Sequence, residues 1–292
     1  MSNATHPDTV PCFARDGGAM PVLGLGTFQS GGADCRNAVR TALDTGYRHI
    51  DTAQMYENEQ EIGKGIRDSS VPRDRIFLTT KLQMGQLDPD GVRASCANSL
   101  RALGTDYVDL LLIHWPEESV PLADTLGAMA ALKQEGKIRH LGVSNFTVAW
   151  LEQALAVSEE PIFCNQIEYH PYIKQGPPMK VCHDHGLATV AYSPLARGQV
   201  LQDERLAEIG RKYGKSPAQI ALRWLVRQTD VVAIPKGTSA AHIRENLDIF
   251  DFALDADDVA SIGAFDHDQR LIDPEWAPRW DRDTVKEGGE HK

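Results

Sequence analysis

Eight short runs rich in Val, Ile and Leu, each followed by an amphipathic stretch, predict an α/β fold: a closed parallel (β/α)8 barrel of the TIM type. The runs are apolar on both faces, as strands between a barrel core and an outer layer of helices must be. Nothing in the 292 residues resembles an interdomain linker, and 42% hydrophobic content suffices for one large core. Residues 1–292 are therefore read as a single barrel domain.

The elements follow in order. "CFARDGGAMPVLGLGT" begins as a hairpin with Asp16-Gly17 as its turn, expected to plug one barrel end. The strand runs are "VLGLGT", "RHID", "IFLTTK", "VDLLLIH", "HLGVSN", "FCNQIE", "ATVAYSP" and "VVAIPK". Helices are expected over residues 35–45, 58–68, 90–103, 122–135, 147–157, 177–185, 203–213, 217–228 and 239–249. In the third of these, Val92, Cys96, Leu100 and Leu103 share one face, with Asp90 as the expected cap and Gly104 as the stop. An extra helix over 255–264 follows the eighth unit, and the irregular tail after Phe265 is expected to pack over the barrel mouth.

Composition narrows the function. A net charge of −11 argues against nucleic acid or an anionic membrane as partner. Five scattered cysteines without a C-x-x-C predict reduced core residues in a cytoplasmic protein. The first residues lack the apolar segment of a secretory leader, and no window approaches 18 consecutive apolar residues.

Nearly every run ends in a polar or reactive residue: Asp51, Lys81, His114, Ser144 with Asn145, Gln166, Tyr192 with Ser193, and Lys236. In a parallel barrel the carboxyl ends of the strands open on one face, so these groups should converge. Asp51, Tyr56, Lys81 and His114 together make a general-acid site for a carbonyl. A phenol, with a pKa near 10 in water, needs help to give up its proton. An ammonium such as Lys81 would ease it, Asp51 would hold that lysine charged, and His114 would orient the carbonyl oxygen. Such a site lacks only a hydride source. Ser144, Asn145 and Gln166 offer amide-recognising groups, Tyr192 a flat face, and "SPLARG" and "IPKGT" amides, hydroxyls and a lysine suited to phosphates.

Each residue also has a plainer reading. Asp51 alone is a strand-end cap, Tyr56 a packing residue, Lys81 a solvated strand end and His114 a satisfied core histidine. Tyr192 could be barrel packing, and His170 in "EYHP" reads as structural. A metal-dependent hydrolase using His49, Asp51, Lys81, His114 and His170 is a rival, although it leaves Tyr56 and "SPLARG" unexplained. "GRKYGKS" follows a helix and has too few residues between its glycines for a phosphate loop.

As a set, "GYRHIDTAQMYENE", "TTK", "LLIHWP", "GVSNF", "NQIEYHP", "AYSPLARG" and "IPKGT…IREN" resemble the aldo-keto reductases along nearly the whole chain. The tail "HDQRLIDPEWAPRWD" resembles the bacterial 2,5-diketo-D-gluconate reductase type in particular. The resemblance implies a catalytic set of Asp51, Tyr56, Lys81 and His114, with Tyr56 protonating the carbonyl oxygen while NAD(P)H delivers hydride. It implies that Ser144, Asn145 and Gln166 grip the carboxamide and that Tyr192 stacks on the nicotinamide. Ser193, Leu195, Gly198, Lys236, Thr238, Glu245 and Asn246 would line the cofactor channel, together with Gly26, Thr27, Asp51, Ile234, Gly237 and His242. It implies NADP(H), with NAD(H) also accepted, no metal, and a monomer acting on a small carbonyl compound. A non-catalytic, cofactor-sensing member of the same fold is the remaining rival.

Two departures stand out. His242 replaces the arginine that usually clamps the adenosine 2′-phosphate, which weakens the expected discrimination between cofactors and leaves Lys236, Thr238 and Arg244 to help. Gln83 replaces a frequent tryptophan. With Phe28, Trp115 and Trp276 it predicts a part-aromatic, part-polar pocket suited to keto-sugar acids or small dicarbonyls rather than steroids.

Overall fold

The computed structural model describes residues 10–265 and 268–281. Strands β1 (Cys12–Arg15) and β2 (Gly18–Pro21) pair antiparallel, from Cys12↔Pro21 to Arg15↔Gly18. Asp16 and Gly17 both take positive φ, 48° and 78°, the geometry that matches a two-residue turn to the twist of the strands. Phe13 and Met20 of this hairpin pack on Phe77, Phe163 and Val232, so the hairpin plugs the amino-terminal end of the barrel.

The barrel strands are β3 (Leu25–Gly26), β4 (His49–Asp51), β5 (Phe77–Leu82), β6 (Val108–Ile113), β7 (Ile138–Ser144), β8 (Ile162–Glu168), β9 (Ala188–Tyr192) and β10 (Val231–Ala233). Each pairs in parallel with its sequence neighbour. Parallel bridges Leu23↔Ala233 and Gly26↔Lys236 close the ring. At this seam a Cβ on Gly26 would lie 2.6 Å from the Ile234 carbonyl oxygen, so only glycine admits the approach.

Helices α1 (Gly32–Thr45), α2 (Glu59–Asp68), α3 (Pro89–Leu103), α4 (Leu122–Gln134), α5 (Val148–Val157) and α6 (Gly176–Asp184) each follow a strand. The connection from β9 to β10 is longer, with α7 (Glu204–Tyr213) and α8 (Pro217–Val226), and accounts for the wide spacing from Tyr192 to Lys236. Helices α9 (Ala240–Leu247) and α10 (Ala256–Gly263) complete the chain. The cap of α3 is Asp88 rather than Asp90: its Oδ1 accepts from Gly91 N at 3.1 Å, and Pro89 takes the first helical position. Gly104 ends the helix with φ 68°, as expected. "GRKYGKS" runs from α7 through its Gly214 cap to Ser216, the cap of α8, and forms no phosphate loop.

Strand alternation sorts side chains into two layers. Leu78, Leu82, Leu111 and Ile113 face outward to the helices. Phe77, Leu110, Leu112, Cys164 and Val190 fill an apolar floor inside the barrel. Continuing along the inward face, Phe77 leads through Thr79 to Lys81, and Leu112 leads to His114. The mouth is thus built from the same registers as the floor. Among the described residues no helix is long and apolar enough to cross a membrane.

Candidate functional site

Lys81 organises the mouth. It is fully buried, and its Nζ donates to Asp51 Oδ1 at 2.5 Å, Thr52 O at 2.8 Å and Tyr56 OH at 3.4 Å. These three contacts use its donor capacity. The second oxygen of Asp51 accepts from Gln166 Nε2 at 2.8 Å, so the carboxylate is held from two strands. The His114 ring stands edge-on to Tyr56, with centroids 5.7 Å apart. The four residues expected to act together are brought together.

Tyr56 ends a short 3-10 turn, Gln54–Tyr56, and the amides flanking it hold that turn. Gln54 Nε2 donates to Ser95 O at 2.8 Å and Ser99 Oγ at 2.9 Å. Asn58 Nδ2 donates to Thr27 O and Ser30 O, both at 2.9 Å. Neither amide is among the expected site residues. Both lie in the run "TAQMYENE", where buried amides around a loop tyrosine are the signal.

The charge balance differs from the expectation in one respect. Burial raises the pKa of Tyr56, and the ammonium of Lys81 pulls it back only in part, so the phenol stays protonated. Burial opposes the charge on Lys81, but Asp51 and Tyr56 outweigh it and raise its pKa. Burial, with Lys81 second, lowers His114 to about 3, which leaves a neutral imidazole whose Nδ1 has no hydrogen-bond partner. His49, one level lower, is pushed to about 4, again mainly by burial.

Both histidines have folded pKa values below the ordinary 6.5, so they stabilise the fold fully above that pH. That contribution, on the order of 3 kcal/mol for His49 and about 5 kcal/mol for His114, is lost as pH falls through 6.5 toward 4 and 3. Melting temperatures between pH 7.5 and 4 are expected to fall, and less steeply in His114→Gln. A flat profile, or an equal slope in the variant, refutes this.

Beside these residues lies a cavity of about 770 Å³. Gly26, Thr27, Asn145, Gln166, Tyr192 and Ser193 form its inner wall. Leu195, Gly198, Ile234, Glu245 and Asn246 continue it outward to Lys236, Thr238 and His242. Asn145 takes φ 63°, a conformation asparagine tolerates. Its Nδ2 donates to His114 O at 2.9 Å, and its Oδ1 accepts from Tyr192 OH at 2.8 Å, which ties the two halves of the mouth together. Ser144 stands behind this wall, its Oγ donating to Gln166 O at 2.9 Å. Gly237 is buried against Ile243 of α9.

At the outer end, Ser239 caps α9 by accepting from His242 N at 3.1 Å, and Lys236 Nζ donates to Gln29 O at 2.8 Å. A helix amino terminus beside a lysine suits an anion. Arg244 reaches back to Ala240 O at 3.5 Å and is not part of the cavity wall. The flat Tyr192 face, the amides of Asn145 and Gln166 and this cationic end fit a nicotinamide dinucleotide lying across the cavity.

Phe28, Trp115 and Trp276 line the opposite side, as expected, but Gln83 does not. Strand β5 ends at Leu82, the chain turns outward, and Gln83 is exposed with its N–H donating to Gln54 Oε1 at 3.2 Å. The mouth is accordingly more apolar than expected, with Met55, Leu271 and Ile272 joining the aromatic residues and Asp273 adding a carboxyl group. Arg197 and Leu201, also unexpected, reach the cavity because Ala196, Arg197 and Gly198 take positive φ. His170 does not join the site: its nitrogens face Glu168 at 3.0 Å and Tyr172 N at 3.2 Å.

With a buried Lys–Asp pair, a tyrosine and a histidine at the carboxyl mouth of a (β/α)8 barrel, the site has the form of a carbonyl oxidoreductase. The sequence profile of the Aldo/keto reductase family matches residues 22–267, and the chain belongs to that family. It is 41% identical over 267 residues to methylglyoxal reductase DkgB of Escherichia coli O157:H7, covering 90% of this chain and 100% of the relative. It is 41% identical over 258 residues to glyoxal reductase of Bacillus subtilis (strain 168), covering 88% and 93%. A crystal structure provisionally named a 2,5-diketo-D-gluconic acid reductase B superposes with a TM-score of 0.92 at 41% identity, covering 94% of this chain and 99% of that one. A Bombyx mori aldo-keto reductase in complex with NADP superposes with a TM-score of 0.85 at 36% identity, covering 90% and 95%.

Proposed function

We propose that this protein reduces small aldehydes and ketones, above all dicarbonyls and keto-sugar acids, to alcohols with NADPH. The observation that carries the reading is Tyr56 OH, in the cavity wall, 3.4 Å from the buried Lys81 ammonium. When bound, the reduced nicotinamide supplies the hydride. Tyr56 donates its proton to the carbonyl oxygen, and Lys81 stabilises the phenolate left behind. Asp51 keeps Lys81 charged and in place, while Gln166 keeps Asp51 from turning. Neutral His114 hydrogen-bonds the carbonyl oxygen without adding a charge that would compete with Lys81. Asn145 and Tyr192 brace the cofactor side, and Lys236, Thr238 and His242 meet its phosphates.

The names of the methylglyoxal and glyoxal reductases support small dicarbonyls as substrates. Relatives solved with NADP or NADPH support the cofactor. NADH is proposed as a second cofactor, because a histidine at 242 clamps a 2′-phosphate less firmly than an arginine fork would. The same reading takes the chain as a monomeric cytoplasmic enzyme of one domain over 1–292. Scattered thiols without a C-x-x-C support the cytoplasmic placement, and a charge of −11 argues against a nucleic-acid partner.

A panel of carbonyls assayed by absorbance with NADPH and with NADH tests the proposal. Methylglyoxal and 2,5-diketogluconate are expected to exceed large apolar ketones in kcat/KM, and the opposite ranking defeats the substrate assignment. The preference for NADPH is expected to stay below about a thousandfold (~4 kcal/mol). A larger ratio refutes the weak clamp.

A further inference from the structure

Glu168 closes β8 two residues beyond Gln166, on the same face of the strand. Its side chain is fully buried and is not part of the cavity wall. Both of its oxygens are occupied. Oε1 accepts from Leu271 N at 2.8 Å, and Oε2 accepts from Ile272 N at 3.0 Å. His170, equally buried, accepts from Tyr172 N on Nδ1, so its proton sits on Nε2 and is donated to Glu168 Oε1 at 3.0 Å. Two of the three donors therefore come from a segment more than a hundred residues away along the chain.

That segment is a wall of the cavity. Leu271, Ile272, Asp273, Pro274 and Trp276 line it opposite the cofactor side. Gln269 N donates to Tyr172 O at 2.9 Å just before the Glu168 contacts. Farther on, Asp281 Oδ2 accepts from Val148 N at 2.9 Å at the start of α5. The described tail segment, residues 268–281, is thus tied near 269 and at 281, and the Glu168 tie lies where it meets the cavity. A buried carboxyl group is costly unless its oxygens have donors. Lifting the tail would strip Glu168 of two of them, so few other tail positions compete with the observed one.

We propose that Glu168 is a positioning residue that sets affinity for the carbonyl substrate by pinning residues 271 and 272 as the outer wall of the cavity. This rests on the reductase reading above. Its carboxylate bonds only to the tail amides and His170 among the described residues, and although β8 sets Glu168 beside Tyr192 of β9, it makes no side-chain hydrogen bond to Tyr56, Lys81 or Tyr192.

The test is Glu168→Gln in the full chain, with methylglyoxal as substrate. The KM is expected to rise about tenfold, the loss that follows when charge-assisted hydrogen bonds are weakened. The kcat, and the Kd for NADPH measured by quenching of tryptophan fluorescence, are expected to change less than about twofold, since the groups that set them are not moved. Amide hydrogen exchange at 271 and 272 is expected to accelerate at least about tenfold, reporting local release of the tail. If E168Q does not accumulate as folded protein, Glu168→Asp, which keeps the charge but shortens its reach to the two amides, is expected to show the same split. Unchanged KM, unchanged exchange at 271 and 272, or parallel losses in KM, kcat and NADPH affinity would each overturn the proposal. If the wild type reduces no carbonyl with either cofactor, the reductase reading fails and the affinity claim falls with it. Exchange at the two amides then still decides whether Glu168 holds the tail.

Discussion

Tyr56→Phe is expected to lower kcat by roughly a hundred- to ten-thousandfold, the usual contribution of a positioned general acid, while NADPH binding stays nearly unchanged. The substitution removes one oxygen from a half-buried ring. The ring keeps its contacts with Phe28, at 5.0 Å between centroids, and with His114 at 5.7 Å. The turn that carries it is held by Gln54 and Asn58 rather than by the hydroxyl. What disappears is the hydroxyl proton that faces both the cavity and Lys81. His114 cannot replace it as an acid, because its pKa near 3 leaves it neutral at working pH. The measurement is single-turnover reduction of methylglyoxal together with NADPH titration. Survival of turnover would mean that the proton comes from elsewhere.

Lys81→Met is expected to cost about 3–5 kcal/mol of stability as well as activity, because removing one partner strands the other as an uncompensated buried charge. Asp51 and Lys81 have side-chain exposures of 2% and 0%, so water cannot take over the role of the ammonium. For a chain of this size that loss is on the order of 10 °C in Tm. The double variant Asp51→Asn with Lys81→Met removes the stranded charge and is expected to melt higher than Lys81→Met alone. If the double variant melts lower, the two substitutions add like independent sites and the buried pair is not the stabilising unit. Thermal melts of the three proteins decide it.

Much of this site was legible beforehand because strand geometry is local. Once "IFLTTK" is read as a strand, period two places Phe77, Thr79 and Lys81 on one face, and the polar ends of successive runs must meet at one rim. The same rule misled at Gln83. It has the parity of Lys81, but β5 stops at Leu82 and parity ceases to matter. At α3 the overlooked signal was Pro89, which favours the first helical position and so points to Asp88 as the cap. Loop residues such as Met55 and Leu201 carried no period at all. Their place in the cavity depends on backbone turns that several non-glycine residues make with positive φ.

Periodicity read the barrel, its hairpin plug and the strand-end groups Asp51, Lys81 and His114 at its rim, since side-chain direction along a strand depends on the strand itself. Tyr56, on a loop, joined them through residue chemistry and the family resemblance. The balance between burial and the lysine at Tyr56, the exclusion of Gln83 and the grip of Glu168 on the tail came only from the folded chain. Each depends on how deeply a group is enclosed, or on which distant segment closes over it. Loop closure and packing settle both, and neither leaves a local pattern to read.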